Sequence, residues 1–267
     1  MSATASTPVT EFATSSDGTR IAFERDGQGP LLLIVDGAMC YRDFGPSKSM
    51  TAELRDRYTV VSYDRRGRGE SGDAAAYDVE REFDDLRAVI DALGEPPYVL
   101  GFSSGAGLAY RAAAAGVPMR KLLGYEAPWV GRRGGRDYLA DLDRLHARGK
   151  GGAMVDYFMV KMIGAPFFVP LMFRLMGSNW RKLQAVGSTI RYDARVMGGD
   201  FEVPAGELAR IPVPALVVWG GKAAPEMSAA NARAAAAIPG AGQRVLEGQT
   251  HQVAPAALAP VVREFFA

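Results

Sequence analysis

The chain predicts an α/β domain: a mostly parallel central sheet with helices on both faces and a helical lid inserted between two strands. Three observations lead there. Short apolar runs of strand length alternate with helical patterns along most of the sequence. Those runs are continuously apolar, as in strands covered on both faces. Between residues 131 and 211 the alternation lapses and only helical periodicity remains.

Taken in order, residues 9–14 and 19–24 alternate in polarity around Ser16, Asp17 and Gly18, which reads as a hairpin. Leu31, Leu32, Leu33, Ile34 and Val35 form the first fully apolar strand, and 59–63, 98–102, 121–125, 215–219 and 244–246 read similarly. Helical patterns fall at 49–55, 79–93, 104–115, 227–237 and 255–266. Inside 131–211, breaks come at Gly134 and Gly135, at 149–152, and at Gly198 and Gly199. The expected division is a core of residues 1–130 and 212–267, with a lid of 131–211. There is no internal repeat and no low-complexity tract; the alanine-rich stretch 223–237 reflects composition.

Composition narrows the partners. With 267 residues the chain can bury a substantial core, and 31 basic against 30 acidic residues leave a formal charge of +1. No global field draws the protein to nucleic acid or to an anionic membrane, so a small neutral molecule is the expected partner. The opening Met1, Ser2, Ala3, Thr4, Ala5, Ser6 has neither a basic nor an apolar export region, which predicts a cytoplasmic protein. The single cysteine, Cys40, excludes an internal disulfide, and two histidines are too few for a structural zinc site. No cofactor is expected. The apolar stretch 157–177 is interrupted by Lys161, Pro166, Pro170 and Arg174, and is expected to form amphipathic helices instead of a bilayer span.

Chemistry concentrates at Gly101, Phe102, Ser103, Ser104 and Gly105, a Gly-x-Ser-x-Gly between an apolar run and a small-residue helix. In the context strand, sharp turn, helix, this pattern is a nucleophile elbow: the serine takes a strained backbone, and glycines on either side let strand and helix pass without Cβ clashes. Only Ser103 has that register; Ser104 would be flanked by Phe102 and Ala106. A serine hydroxyl needs a histidine to accept its proton and a carboxylate to orient that histidine. His251, in the loop after the last strand, falls at the same carboxyl edge of the sheet as the elbow. His146 lies in a helical stretch of the lid, where a solvated or packing role is expected.

With these marks and Asp64, Arg65, Arg66, Gly67, Arg68, Gly69, Glu70, Ser71 after the fourth strand, the chain resembles the α/β-hydrolases of the esterase, lactonase and haloalkane-dehalogenase type over essentially its whole length. A serine nucleophile, where dehalogenases carry aspartate, implies ester-like substrates. Two carboxylates compete for the third place. The position after the strand that follows the lid holds no aspartate, only Glu226, which begins a helix where a capping role is ordinary. Glu126, after the strand that follows the elbow helix, matches the placement in haloalkane dehalogenases and zearalenone-type lactone hydrolases and is preferred. A carboxylate at a buried strand end needs a partner; His251 would serve, and so would an arginine of the Arg65 to Arg68 loop or of the lid. The resemblance further implies an oxyanion hole from the N–H of Ser104 and that of Ala38, where Asp36 and Gly37 stand in place of the common His-Gly.

Two patterns compete with this reading. Gly67, Gly69 and Gly72 spell Gly-x-Gly-x-x-Gly after a strand, but residues 73–78 intervene before helical periodicity resumes, so an NAD(P)-dependent oxidoreductase ranks low. Cys40 lacks a predicted base and elbow and is expected to be a buried thiol. Met154, Tyr157, Phe158, Met159, Met162, Phe167, Phe168, Met172, Phe173, Met176 and Trp180 form a stripe expected chiefly to pack the lid on the core. Where they line a cleft they would favour an apolar substrate. Met39, Phe102, Trp129, Phe158, Met162 and Phe173 are the expected substrate contacts. The sequence thus predicts a serine hydrolase of a hydrophobic ester or lactone, with a hydrolase-fold lyase or receptor as the alternative.

Overall fold

A computed structural model describes residues 8–175 and 177–267. The opening hexapeptide and Met176, on which two of the expectations above fall, lie outside the described residues. Among the described residues, eight strands form one sheet: β1 (Glu11–Thr14), β2 (Arg20–Gly27), β3 (Leu31–Val35), β4 (Thr59–Tyr63), β5 (Tyr98–Phe102), β6 (Leu122–Tyr125), β7 (Ala215–Gly220) and β8 (Gly242–Leu246). Their spatial order is β1-β2-β4-β3-β5-β6-β7-β8. The β1–β2 and β2–β4 pairs are antiparallel and every later pair is parallel.

Alternation along the central strands sends successive side chains to opposite faces. Leu33, Val35, Val61, Val99, Leu122 and Val217 belong to one buried cluster. It packs beneath α2 (Val79–Leu93), α3 (Ser104–Ala114), α10 (Pro225–Ala237) and the helical insertion. Leu32, Ile34, Val60, Leu100, Leu123 and Val218 pack against α1 (Pro46–Leu54) and α11 (Pro255–Phe266) on the other face. Both faces are covered, which is why these strands read as unbroken apolar runs.

Some boundaries differ from expectation for identifiable reasons. Helices α1 and α10 begin two or three residues early, each with proline in its first turn, where the missing N–H costs nothing. Strand β8 begins at Gly242, because it is an exposed edge strand with little apolar content to announce it.

Between β6 and β7 the chain is helical, as expected: α4 (Tyr138–Ala147), α5 (Gly151–Tyr157), a π turn at Phe158–Met162, α6 (Val169–Leu175), α7 (Ser178–Val186), α8 (Ile190–Val196) and α9 (Ala205–Leu208). Its Met and aromatic stripe divides. Met154, Met159 and Met162 are buried, Tyr157, Phe158, Phe173 and Trp180 are half-buried, and Phe167, Phe168 and Met172 are exposed. Among the described residues no helix is long and apolar enough to cross a membrane.

Candidate active site

Ser103 leaves β5 at φ 53°, ψ −126°, a backbone that L-residues rarely adopt, and α3 begins at the next residue. Gly101 and Gly105 are dictated by this turn. A Cβ on Gly101 would stand 2.6 Å from the Ala106 Cα, and one on Gly105 would stand 2.2 Å from the Val35 carbonyl oxygen. The turn is tied down by the Ser103 N–H donating to the Tyr125 carbonyl at 2.8 Å and by the Ser103 carbonyl accepting from Ala106 N–H at 2.9 Å. The serine itself is only partly buried.

One strand over, Glu126 leaves β6 in the left-handed region as well, at φ 49°. Its side chain is buried, with 1% of the residue exposed. Both carboxylate oxygens are used: Oε1 accepts from Gly220 N–H at 2.8 Å, and Oε2 lies 2.6 Å from His251 Nδ1. Hydrogen bonds of this charge-assisted kind offset the cost of desolvating the carboxylate. The other imidazole nitrogen, Nε2, lies 3.1 Å from Ser103 Oγ.

The histidine loop is held from both sides. Tyr125 O–H donates to the Thr250 carbonyl at 2.6 Å, and the Gln249 side-chain oxygen accepts from Ala254 N–H at 2.9 Å. Gly220 permits the loop's approach, since a Cβ there would stand 2.3 Å from the Gln249 carbonyl oxygen. Ser103, His251 and Glu126 are therefore brought into one hydrogen-bonded line. Glu226 is not: it begins α10 on the surface and pairs with Arg133 at 3.1 Å. His146 is exposed at the end of α4.

The loop after β3 lies against the nucleophile. A Cβ on Gly37 would stand 2.9 Å from Ser103 Cβ, and Met39 holds the loop's bend at φ 61°. Asp36 is buried at its head; burial pushes its carboxyl up to about 6, against the pull of Ser47, Arg68 and Arg65. Burial also pushes the Cys40 thiol up to about 12, so it stays protonated and is no nucleophile at neutral pH.

The arginines after β4 do not pair with Glu126. Arg65 binds Glu82 through two bonds of 2.6 and 2.7 Å, Arg66 binds Asp85 and Asp17, and Arg65 and Arg68 share Asp193 of α8. Burial works against the charge of Asp193, but Arg68 and Arg65 more than offset it and hold the carboxyl below its ordinary range. Sequence reading missed Asp193 and Glu82. The run Arg65, Arg66 and Arg68 signals a need for carboxylates, but which ones becomes readable only once the structure buries these cations. The glycines of the same loop serve its turns: a Cβ on Gly69 would stand 2.1 Å from an Asp64 carboxylate oxygen, and α2 begins only at Val79.

Of the expected substrate contacts, Met39, Phe158 and Phe173 are half-buried and Met162 is buried in the insertion. Phe102 is placed differently: alternation along β5 points it to the α1 and α11 face, away from the insertion. Trp129 is fully buried, its ring 6.1 Å from that of Tyr110.

Comparison with known proteins agrees with this fold. The model of the alpha/beta hydrolase family matches residues 32–262. A crystal structure of an alpha/beta hydrolase from Sphaerobacter thermophilus is similar over 96% of this chain and 100% of that one, with 41% identity and a TM-score of 0.88. An esterase from Rhodococcus sp. ECU1013 (20% identity, TM-score 0.66, 96% and 98% covered) shares the fold. So does the enol-lactonase from Burkholderia xenovorans (19%, 0.66, 96% and 99%). An uncharacterized hydrolase of Bacillus subtilis, YraK, is 37% identical over 93 residues, so the match spans 34% of that protein and 33% of this chain.

Proposed function

The chain belongs to the alpha/beta hydrolase family, and on that premise we propose that it is a serine hydrolase cleaving a carboxylic ester or lactone of an uncharged, hydrophobic small molecule. The observation that carries the proposal is the line Ser103 Oγ, His251 Nε2, His251 Nδ1, Glu126 Oε2, with spacings of 3.1 and 2.6 Å. In the resting state Ser103 O–H donates to Nε2 and Nδ1–H donates to Glu126. As Oγ bonds to the ester carbon, its proton passes to Nε2 and the carbonyl π pair moves onto oxygen. Collapse of the tetrahedral species breaks the bond to the alcohol oxygen, which takes the proton from Nε2 and leaves an acyl-Ser103. Water repeats the sequence: its proton goes to Nε2, its oxygen bonds to the acyl carbon, and the Oγ–acyl bond breaks with return of the proton to Oγ.

The N–H groups of Ala38 and Ser104 are the proposed oxyanion donors. Ser104 supplies the first amide of α3, which has no partner within its own helix, and such a donor contributes about 3 kcal/mol to the transition state. The apolar preference rests on Met39, Phe158, Met162 and Phe173, which crowd the side of the sheet carrying the insertion. That the fold is shared with an esterase and an enol-lactonase is consistent with either an open or a cyclic ester.

A panel of p-nitrophenyl esters of increasing acyl length, with γ- and δ-lactones followed by pH-stat, tests the proposal. Turnover by the wild-type protein and none by Ser103→Ala is expected. Inertness toward the whole panel would favour a non-hydrolytic receptor or lyase on this fold.

A further inference from the structure

Asp193 lies in the helical insertion, is 3% exposed, and is bound to three donors, each of which leads back to the proposed oxyanion hole. Its Oδ1 accepts from Ser104 Oγ at 2.8 Å and from Arg65 Nη1 at 2.7 Å, while Oδ2 accepts from Arg68 Nη2 at 2.7 Å. Ser104 is the residue whose own N–H would be one oxyanion donor. Arg68 uses Nη1 to bind the Gly37 carbonyl at 2.7 Å and the Cys40 carbonyl at 3.2 Å, and Arg65 reaches the Asp36 carbonyl at 3.4 Å. The Gly37 carbonyl belongs to the same peptide plane as the Ala38 N–H, and in a trans peptide the two point in opposite directions. A guanidinium gripping that carbonyl therefore fixes the direction of the second donor. Thr189, just ahead of α8, accepts from Arg68 Nε at 3.0 Å, so the insertion holds the arginine at two points.

We infer that Asp193 is a positioning residue: through Ser104 on one side and Arg68 on the other, it aligns both oxyanion donors, so that catalytic competence of the core depends on the seating of α8. This rests on the serine-hydrolase reading and extends it. A salt bridge that only fastened the insertion would not need one carboxylate to accept both from the residue after the nucleophile and from the two arginines that donate to the carbonyls of the oxyanion loop. Substitutions separate the two legs. In Asp193→Asn a single amide oxygen cannot serve both guanidinium groups, so the NH₂ faces Arg65 or Arg68 donor to donor and loosens the arginine grip on the Asp36 and Gly37 carbonyls. Ser104→Ala removes the other leg alone and leaves every ion pair intact.

The test measures kcat and KM for p-nitrophenyl butyrate and the inhibition constant of an alkyl trifluoromethyl ketone, whose tetrahedral adduct places an oxyanion in the hole, on proteins verified as folded by thermal melting. Asp193→Asn is expected to lower kcat about 10- to 100-fold with KM within about threefold, and to weaken the ketone by a similar factor, since displacement of a donor by an ångström is felt at that level. Ser104→Ala is expected to lose about three- to tenfold in the same two quantities. It carries the test if Asp193→Asn does not fold. A lowered melting temperature with unchanged kcat and unchanged ketone affinity would overturn the inference and leave the serine-hydrolase reading standing. A wild-type protein inert to both reagents would overturn both.

Discussion

Replacing Glu126 with glutamine changes one atom and, by the geometry of its two partners, should disable the histidine. Gly220 N–H donates to Oε1 at 2.8 Å and can be satisfied only by an oxygen. The amide of Glu126→Gln is thereby oriented with its NH₂ toward His251 Nδ1, where the carboxylate oxygen now lies at 2.6 Å. Nδ1 must then accept, the ring proton moves to Nε2, and Nε2 can no longer take the proton of Ser103. A wrong-tautomer substitution of this kind costs on the order of 10⁴ in kcat, equivalent to about 5.5 kcal/mol. The fold should tolerate it, because volume and hydrogen-bond count are kept. Glu226→Gln is the control: its pair with Arg133 is half-exposed on both sides, a class of ion pair worth about 0–1 kcal/mol, and no rate change is expected. Stopped-flow or plate hydrolysis of p-nitrophenyl butyrate reads both variants against wild type, with melting curves as the check on folding. If Glu126→Gln keeps more than a tenth of the wild-type kcat, or if Glu226→Gln loses more, the tautomer argument is refuted.

Other outcomes follow from the same contacts. Gly105→Ala puts a methyl 2.2 Å from the Val35 carbonyl and should lower stability by more than about 3 kcal/mol in urea melts; a loss under 1 kcal/mol would show that the elbow can yield. Asp36 has its carboxyl raised from 3.8 to about 6, so its contribution to stability is fully present below the unfolded value and is lost as pH rises through the folded one. Asp36→Asn should therefore stabilise the protein by up to about 3 kcal/mol more at pH 8 than at pH 4, and equal effects at the two pH values would contradict the assigned burial cost. Cys40, held protonated, should react with iodoacetamide at pH 8 far more slowly than free cysteine, and Cys40→Ala should retain ester hydrolysis; rapid alkylation that abolishes activity would mean that the thiol takes part.

Much of this arrangement is written locally in the chain. The register of Gly101, Ser103 and Gly105 requires a tight strand-to-helix turn, and both glycines prove to be steric necessities of it. The unbroken apolar strands mark a sheet with two covered faces before any partner is known. Glu126 could be placed at the right edge of the sheet, but its left-handed backbone and its bond to Gly220 depend on β7, which is distant in sequence. Asp193 was illegible for a similar reason. In sequence it is one acidic residue of a short helix, and only the closure of the insertion over the sheet brings it to Ser104, Arg65 and Arg68. Phe102 is the opposite case: it is adjacent to Ser103 in sequence, yet strand alternation turns its ring to the far face.

Intact-protein mass spectrometry after treatment with a fluorophosphonate ester tests the assignment of the nucleophile most directly. One phosphonyl group per chain, mapped to Ser103 and absent in both Ser103→Ala and His251→Ala, is the predicted result. Modification elsewhere, or labelling of Ser103 that persists without His251, would contradict it.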